Sequence, residues 1–152
     1  MSRVLLIYPF FRSFPDLSVF RFPPLGLSYV AAALREARHP VRLLDCTFLE
    51  RSAALRQAFE ADAEVVGIYC MVSMTQDCFW FARQLRGRCR LLVAGGPLPT
   101  CDPEPFLEHF DVVVRGEGEQ TMKELLRAFE EGSELAGVPG IAFRQGGGEV
   151  TA

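Results

Sequence analysis

Four loops in this 152-residue chain combine glycine, proline and hydroxyl-bearing residues in a way that suits ligand binding better than acid–base chemistry. Leu91-Leu-Val-Ala-Gly-Gly-Pro-Leu-Pro-Thr100 reads as a buried strand that stops at a glycine pair and runs into a proline-stiffened loop. Gly95 and Gly96 lack a Cβ, so the backbone there can turn tightly or let a bulky ligand approach closely. In Cys70-Met-Val-Ser-Met-Thr75, Ser73 and Thr75 offer hydroxyls to a ligand, or Thr75 or Asp77 caps the next helix. In Arg115-Gly-Glu-Gly-Glu-Gln120, Gly116 and Gly118 precede a helix whose free N-terminus attracts anions. Glu117 and Glu119 weaken the case for a phosphate and favour hydrogen bonds to amide groups, and Glu119 also complements the helix dipole. Tyr8-Pro-Phe-Phe11 opens the fourth loop, where Phe10, Phe11, Phe14, Phe20 and Phe22 crowd together with Arg12 and Arg21. Such aromatics form either an exposed apolar interface or a local loop core.

Metal chemistry has little to work with. The five cysteines (Cys46, Cys70, Cys78, Cys89 and Cys101) contain no Cys-x-x-Cys pair and no Cys-x-x-x-Cys-x-x-Cys cluster, the close spacings that zinc and iron–sulfur sites use. An odd cysteine number argues against a disulfide framework. Cys70 and Cys101 stand out only because they flank two of the loops. The short apolar start, Val4-Leu-Leu-Ile-Tyr8, reaches Pro9 directly and is too short for a signal peptide. No apolar run approaches the ~18 residues of a membrane span. With 49% apolar residues and a net charge of −3, the expectation is a cytoplasmic globular protein that binds neither nucleic acid nor membrane.

The elements that must position these loops alternate along the chain. Strand-like runs at Val4–Tyr8, Val41–Asp45, Glu64–Cys70, Arg90–Ala94 and Asp111–Arg115 are separated by helical periodicity. A helix from about Pro24 carries Leu27, Val30, Leu34 and Ala37 on one face, and Ser52–Asp62 carries Leu55, Ala58 and Phe59. A third helix carries Cys78, Phe81, Ala82 and Leu85, with Trp80 and Phe81 read as core or interface. A short helix is expected at Pro103–His109, and a long one at Glu119–Glu131 that Gly132 terminates. Such alternation implies right-handed crossovers and a doubly wound α/β fold, a parallel sheet with helices on both faces. Ligands then bind at the carboxyl ends of the strands, where all four loops lie. Gly140–Arg144 and Glu149–Thr151 look like a hairpin around Gln145-Gly-Gly-Gly148, and the chain stops within its second strand, as expected of a piece of a longer protein.

In order, Pro23-Pro-Leu-Gly-Leu-Ser-Tyr-Val30 with Ala31-Ala-Ala-Leu34, Leu43-Leu-Asp45, Gly67-Ile-Tyr-Cys-Met-Val-Ser-Met-Thr75, Gly95-Gly-Pro-Leu-Pro-Thr100, Asp111-Val-Val-Val-Arg-Gly-Glu-Gly-Glu119 and Val138-Pro-Gly-Ile-Ala-Phe143 resemble one family. It is the N-terminal cobalamin-binding domain of cobalamin-dependent radical S-adenosylmethionine enzymes. The resemblance implies a Rossmann-like sheet of flavodoxin-type order 2-1-3-4-5, with cobalamin across the carboxyl ends. It carries cofactor contacts onto Pro9 and Phe10 after the first strand and onto Leu25 and Gly26 opening the first helix. After the third strand they are Met71, Ser73, Met74 and Thr75, and after the fourth Gly95, Gly96, Pro97 and Thr100. Gly116, Glu117 and Gly118 follow the fifth. It further implies a cobalamin-binding domain over 1–135, with 136–152 leading toward a catalytic domain.

Two departures shape that expectation. Related domains of the mutase type ligate cobalt through a histidine in Asp-x-His-x-x-Gly after the first strand, whereas the loop here, residues 8–16, has none. His39 and His109 fall at the amino ends of strands, so cobalamin is expected base-off with no protein histidine on cobalt. The four-iron cluster motif that lets the parent enzymes cleave S-adenosylmethionine is missing too, so this chain should be non-catalytic alone, part of a methyltransferase or cyclase. The alternatives are the same fold without cobalamin, as an interaction domain, or a receiver-type signalling domain. A receiver needs aspartates where Tyr69-Cys70 and Tyr8-Pro9 stand. A dinucleotide-binding domain needs Gly-x-Gly-x-x-Gly after the first strand, which is not there.

Overall fold

The computed structural model describes residues 1–10, 22–145 and 150–151. Five short apolar strands form its centre: β1 (Val4–Tyr8), β2 (Val41–Asp45), β3 (Val65–Tyr69), β4 (Leu91–Gly95) and β5 (Val112–Val114). They pair in parallel in the order β2-β1-β3-β4-β5. This is the doubly wound arrangement anticipated above. The sheet then continues past that anticipation. β6 (Ile141–Arg144) pairs antiparallel with β5, and β7 (Val150–Thr151) pairs antiparallel with β6.

Side chains alternate between the two faces, as the pleat requires. Val4, Leu6, Tyr8, Val65, Val93, Val112 and Val114 face α1 (Leu25–Glu36) and α5 (Gly118–Glu131). Leu5, Ile7, Val66, Ile68, Leu92, Ala94 and Val113 face α2 (Arg51–Glu60) and α3 (Thr75–Leu85). The second face is rich in aromatics: Phe10 stacks on Phe81 at 5.6 Å, and Phe106 and Phe110 pack near β5. Asp77, 4% exposed, binds Arg51 at 2.6 Å and ties α3 to the start of α2.

Local chemistry moved several boundaries. No helix covers Pro103–His109; only a 3-10 turn forms at Phe106–Glu108, because Pro103 and Pro105 supply no N–H for a longer ladder. The helix in this region is instead α4 (Pro97–Cys101), opened by a proline in its first turn. Neither Thr75 nor Asp77 caps α3: the Thr75 hydroxyl donates to the Val72 carbonyl at 2.8 Å, and Asp77 is committed to Arg51. Phe11, Arg12, Phe14, Phe20 and Arg21 lie outside the described residues, as do residues 146–149.

Gly140 sits where β6 enters the sheet, at φ +76°, with its carbonyl accepting from the Arg115 amide at 2.8 Å. A Cβ there would lie 2.8 Å from the Thr121 hydroxyl. Gly140→Ala is therefore expected to destabilise the domain by about 1–3 kcal/mol, read from urea unfolding.

Candidate functional site

One cavity of about 660 Å³ opens at the carboxyl edge of the sheet, between the strands and the α1/α5 pair. Two glycines border it from the sheet. Gly67 is level with Leu6 of β1 and Val93 of β4, and Gly95 is level with Tyr69. By the alternation of their strands, both glycines face α1 and α5. Where other strand positions fill this layer with valine or leucine, Gly95 leaves it open, and the place of a Gly67 side chain is taken by Leu6, whose Cδ2 would lie 2.8 Å from a Cβ there. A glycine within a strand usually marks such a close approach.

The two residues of the glycine pair do different work. A Cβ on Gly95 would have only the Val114 carbonyl near it, at 3.9 Å, so the residue simply leaves room. Gly96 adopts φ +107°, ψ −176°, backbone that is nearly glycine-only. A Cβ on it would come within 2.6 Å of the Cys70 carbonyl and 3.0 Å of the Tyr69 ring. The tight-turn reading therefore applies to Gly96, and the clearance reading to Gly95. The close approach joins two loops: the Cys70 amide donates to Gly95 O at 2.8 Å, and the Leu98 amide donates to Cys70 O at 3.3 Å.

The next loop is fastened in the same manner. The Gly116 amide donates to the Thr100 hydroxyl at 3.0 Å, and Arg115 reaches the Thr100 carbonyl at 3.4 Å. Gly116 is left-handed, at φ +72°. Gly118 opens α5; a Cβ on it would meet Val30 at 3.1 Å, so glycine lets the two helices close over the cavity's side.

Eight of the residues singled out from the sequence come together around this space: Gly26, Gly95, Gly96, Pro97, Thr100, Gly116, Glu117 and Gly118. Leu25 is exposed beside Gly26 without lining it, and Ser73 is exposed on the turn after β3, with Met71 half-buried there. Met74 is fully buried in the α1/α5-side core, and Thr75 is occupied by Val72. Pro9 is buried, and Phe10 packs into the α2/α3 face, away from the cavity. The cavity also recruits residues that sequence reasoning passed over: Leu6, Leu27, Val93, Val114 and Met122 below, and Tyr29 and Tyr69 higher up. As apolar residues at ordinary core positions they carry no mark of their own. Gly67 did carry one, as the single glycine inside a strongly apolar strand.

The site has little acid–base character. Burial raises the Tyr8 and Tyr69 phenols, whose rings lie 5.2 Å apart, so both stay neutral. Cys101 lies at the cavity mouth, but Cys70 is fully buried toward the opposite face beside Cys78. Burial pushes the Cys46 thiol up to about 12, helped by Asp45 and Asp77. His39 is buried at the amino edge, 3.6 Å from Glu130, and His109 packs on Phe79 just before β5. Neither lines the cavity. Among the described residues no cluster of three or more His, Cys, Asp or Glu is placed to hold a metal, and no helix is long and apolar enough to cross a membrane.

An open α/β sheet with a deep apolar cleft at its carboxyl edge defines a ligand-binding module of the doubly wound class. The chain belongs to the B12 binding domain family, whose model matches residues 18–126. It is 35% identical over 135 residues to an uncharacterized methyltransferase of Pyrococcus horikoshii, covering 82% of this chain and 28% of that protein. It is 33% identical over 141 residues to the anaerobic magnesium-protoporphyrin IX monomethyl ester cyclase of a Synechocystis strain, covering 82% of this chain and 27% of that one. The fold matches the radical S-adenosylmethionine methyltransferase TsrM of Kitasatospora setae, solved with cobalamin and a 4Fe-4S cluster bound, at a TM-score of 0.79 and 23% identity. That match covers 97% of this chain and 30% of TsrM. The chain thus spans little more than a quarter of the curated relatives' length.

Gly96→Ala is expected to cost about 1–3 kcal/mol of unfolding free energy with no ligand present. Gly95→Ala, in ordinary strand backbone with space around it, should stay within about 1 kcal/mol of the parent. Parallel urea titrations of the two variants measure the contrast.

Proposed function

We propose that this chain is the cobalamin-binding module of a larger cobalamin-dependent radical S-adenosylmethionine enzyme, a methyltransferase or cyclase, and is not catalytic alone. The observation that carries the reading is the cavity beside Gly67 and Gly95, deep, apolar and open at the edge where ligands of this fold class bind. Cobalamin is a broad corrin ring with a nucleotide tail, and the site offers one feature for each. The tail would enter between the sheet and α1/α5, beside Gly67, where the absent Cβ of Gly95 leaves it room. The corrin rests on the rim, where Gly26, Pro97, Thr100, Gly116 and Glu117 supply small surfaces and polar groups for its amide side chains. Once bound, the cofactor supplies a cobalt centre able to carry a methyl group.

The chain's own part is to hold and orient this cofactor. Both histidines stand at the opposite edge of the sheet, which supports a base-off cofactor with no protein nitrogen on cobalt. Pro9, Phe10, Leu25, Met71, Ser73, Met74 and Thr75, which the family resemblance also carries as contacts, do not line the cavity, and their part is to shape the loops and core around it. The iron–sulfur cluster and S-adenosylmethionine belong to a catalytic domain of the parent protein, which is a partner of this module in the cytoplasm. The relatives' names support the methyltransferase and cyclase assignments.

Gly26 gives the cleanest test, since a side chain there meets nothing within 4 Å and the residue sits in the first turn of α1. Gly26→Phe should keep the melting temperature while weakening aquocobalamin binding at least tenfold, about 1.4 kcal/mol, by calorimetry. His39→Ala and His109→Ala should leave the visible spectrum of the bound cofactor unchanged. Undiminished binding by folded Gly26→Phe, or loss of an axial-nitrogen signature in either histidine variant, contradicts the proposal.

A further inference from the structure

The cavity is chemically one-sided. Its floor is the row Leu6, Gly67 and Val93, level across three strands, with Leu27, Val114 and Met122 around it. Every side chain among these is at least nine-tenths buried, and they present only carbon and one thioether. The amides and carbonyls of the floor strands lie within the parallel ladder. The hydrophilic lining side chains are Thr100 and Glu117 of the rim loops, Glu119 in the first turn of α5, the phenols of Tyr29 and Tyr69 and the Cys101 thiol, none of them in the floor row, and the Thr100 hydroxyl already accepts the Gly116 N–H.

Cobamides share the corrin ring and the nucleotide linkage but differ in the base at the end of the tail. A dimethylbenzimidazole presents a methylated carbocycle at its far edge, and a purine presents an exocyclic amine and further ring nitrogens. Resting on the function proposed above, we infer that this cavity selects cobamides by their lower base, accepting a benzimidazole and rejecting adenine. A purine carried to the Leu6–Gly67–Val93 floor gives up its hydrogen bonds to water and meets no partner there. The benzimidazole's methyl-bearing ring gains from the same burial. Base release from cobalt works the other way: the imidazole nitrogen of adenine is less basic than that of benzimidazole, so the adenine form goes base-off more readily. A preference for the benzimidazole form therefore has to come from the cavity.

Equilibrium dialysis of the chain against three aquo-corrinoids tests this: cobalamin, its adenine-containing counterpart, and cobinamide, which has no nucleotide. Cobalamin is expected to bind at least about tenfold more tightly than the adenine form, the effect of one unpaired buried polar group. Cobinamide should bind more weakly than cobalamin. Val93→Thr places one hydroxyl in the floor at nearly the same volume, and should narrow the cobalamin-to-adenine ratio while circular dichroism reports a folded domain. If both cobamides bind equally, or the adenine form binds better, while both exceed cobinamide, the selectivity is overturned and the proposed function stands. A ratio that does not move in folded Val93→Thr also overturns it, because the base then lies elsewhere. No binding of any of the three overturns the cobalamin reading and the selectivity together.

Discussion

A void of about 660 Å³ has to be held open beside Gly67 and Gly95, between the sheet and α1/α5. Protein cores close to crystal-like density, and an unsupported hole costs the contacts that its lining atoms lose. Here the surroundings resist collapse because each wall is anchored elsewhere. α1 and α5 press against each other where Gly118 meets Val30. Leu34, Leu125 and Leu126 fix both helices to the sheet, and none of the three retains any exposure. The opposite face of the same strands is packed with Phe81, Phe106 and Ile68, so the sheet cannot buckle away from the opening. The hole is the unfilled remainder of a rigid frame.

The rim depends on backbone fitted to backbone. Gly96 lies against Cys70, Leu98 donates to that residue's carbonyl, Thr100 receives Gly116, and Arg115 donates to Gly140. The loops after β3, β4 and β5 thereby form a continuous chain of contacts that ends on β6. Displacing any one of them disturbs the next. Such a rim is preorganised, so a ligand meets surfaces already in place and the ordering cost falls on folding.

Most of this architecture was legible in the residues. The alternation of apolar runs with helical stripes revealed β1 to β5 and the sheet's parallel core, because doubly covered strands such as Val65–Tyr69 are apolar throughout. The glycine loops after β4 and β5 identified the rim. The floor was not legible, since Leu6, Val93 and Met122 look like any other core residue until the space beside Gly67 is seen. Pro97–Cys101 also escaped notice: its two prolines read as a stiff loop, yet both fall in the first helical turn, where a missing N–H is harmless. Phe10 misled in the other direction. The family resemblance put it among the cofactor contacts, but its ring is held by Phe81 and Trp80 on the far side of the sheet. The two orientations of a side chain at a strand end are equivalent in sequence.

The antiparallel addition of β6 sets how this domain can be separated from its surroundings. β5 is only three residues long, and Val113 and Val114 are almost fully shielded. Its outer hydrogen-bonding side is satisfied by Ile141–Phe143 alone. Trimming the chain after residue 135 would strip that cover and leave a short, all-valine strand with a row of unsatisfied amides and carbonyls facing water. Such an edge invites strand-on-strand polymerisation. The residues after α5 thus act as a selvedge, the finished border that keeps the sheet from unravelling into its neighbours.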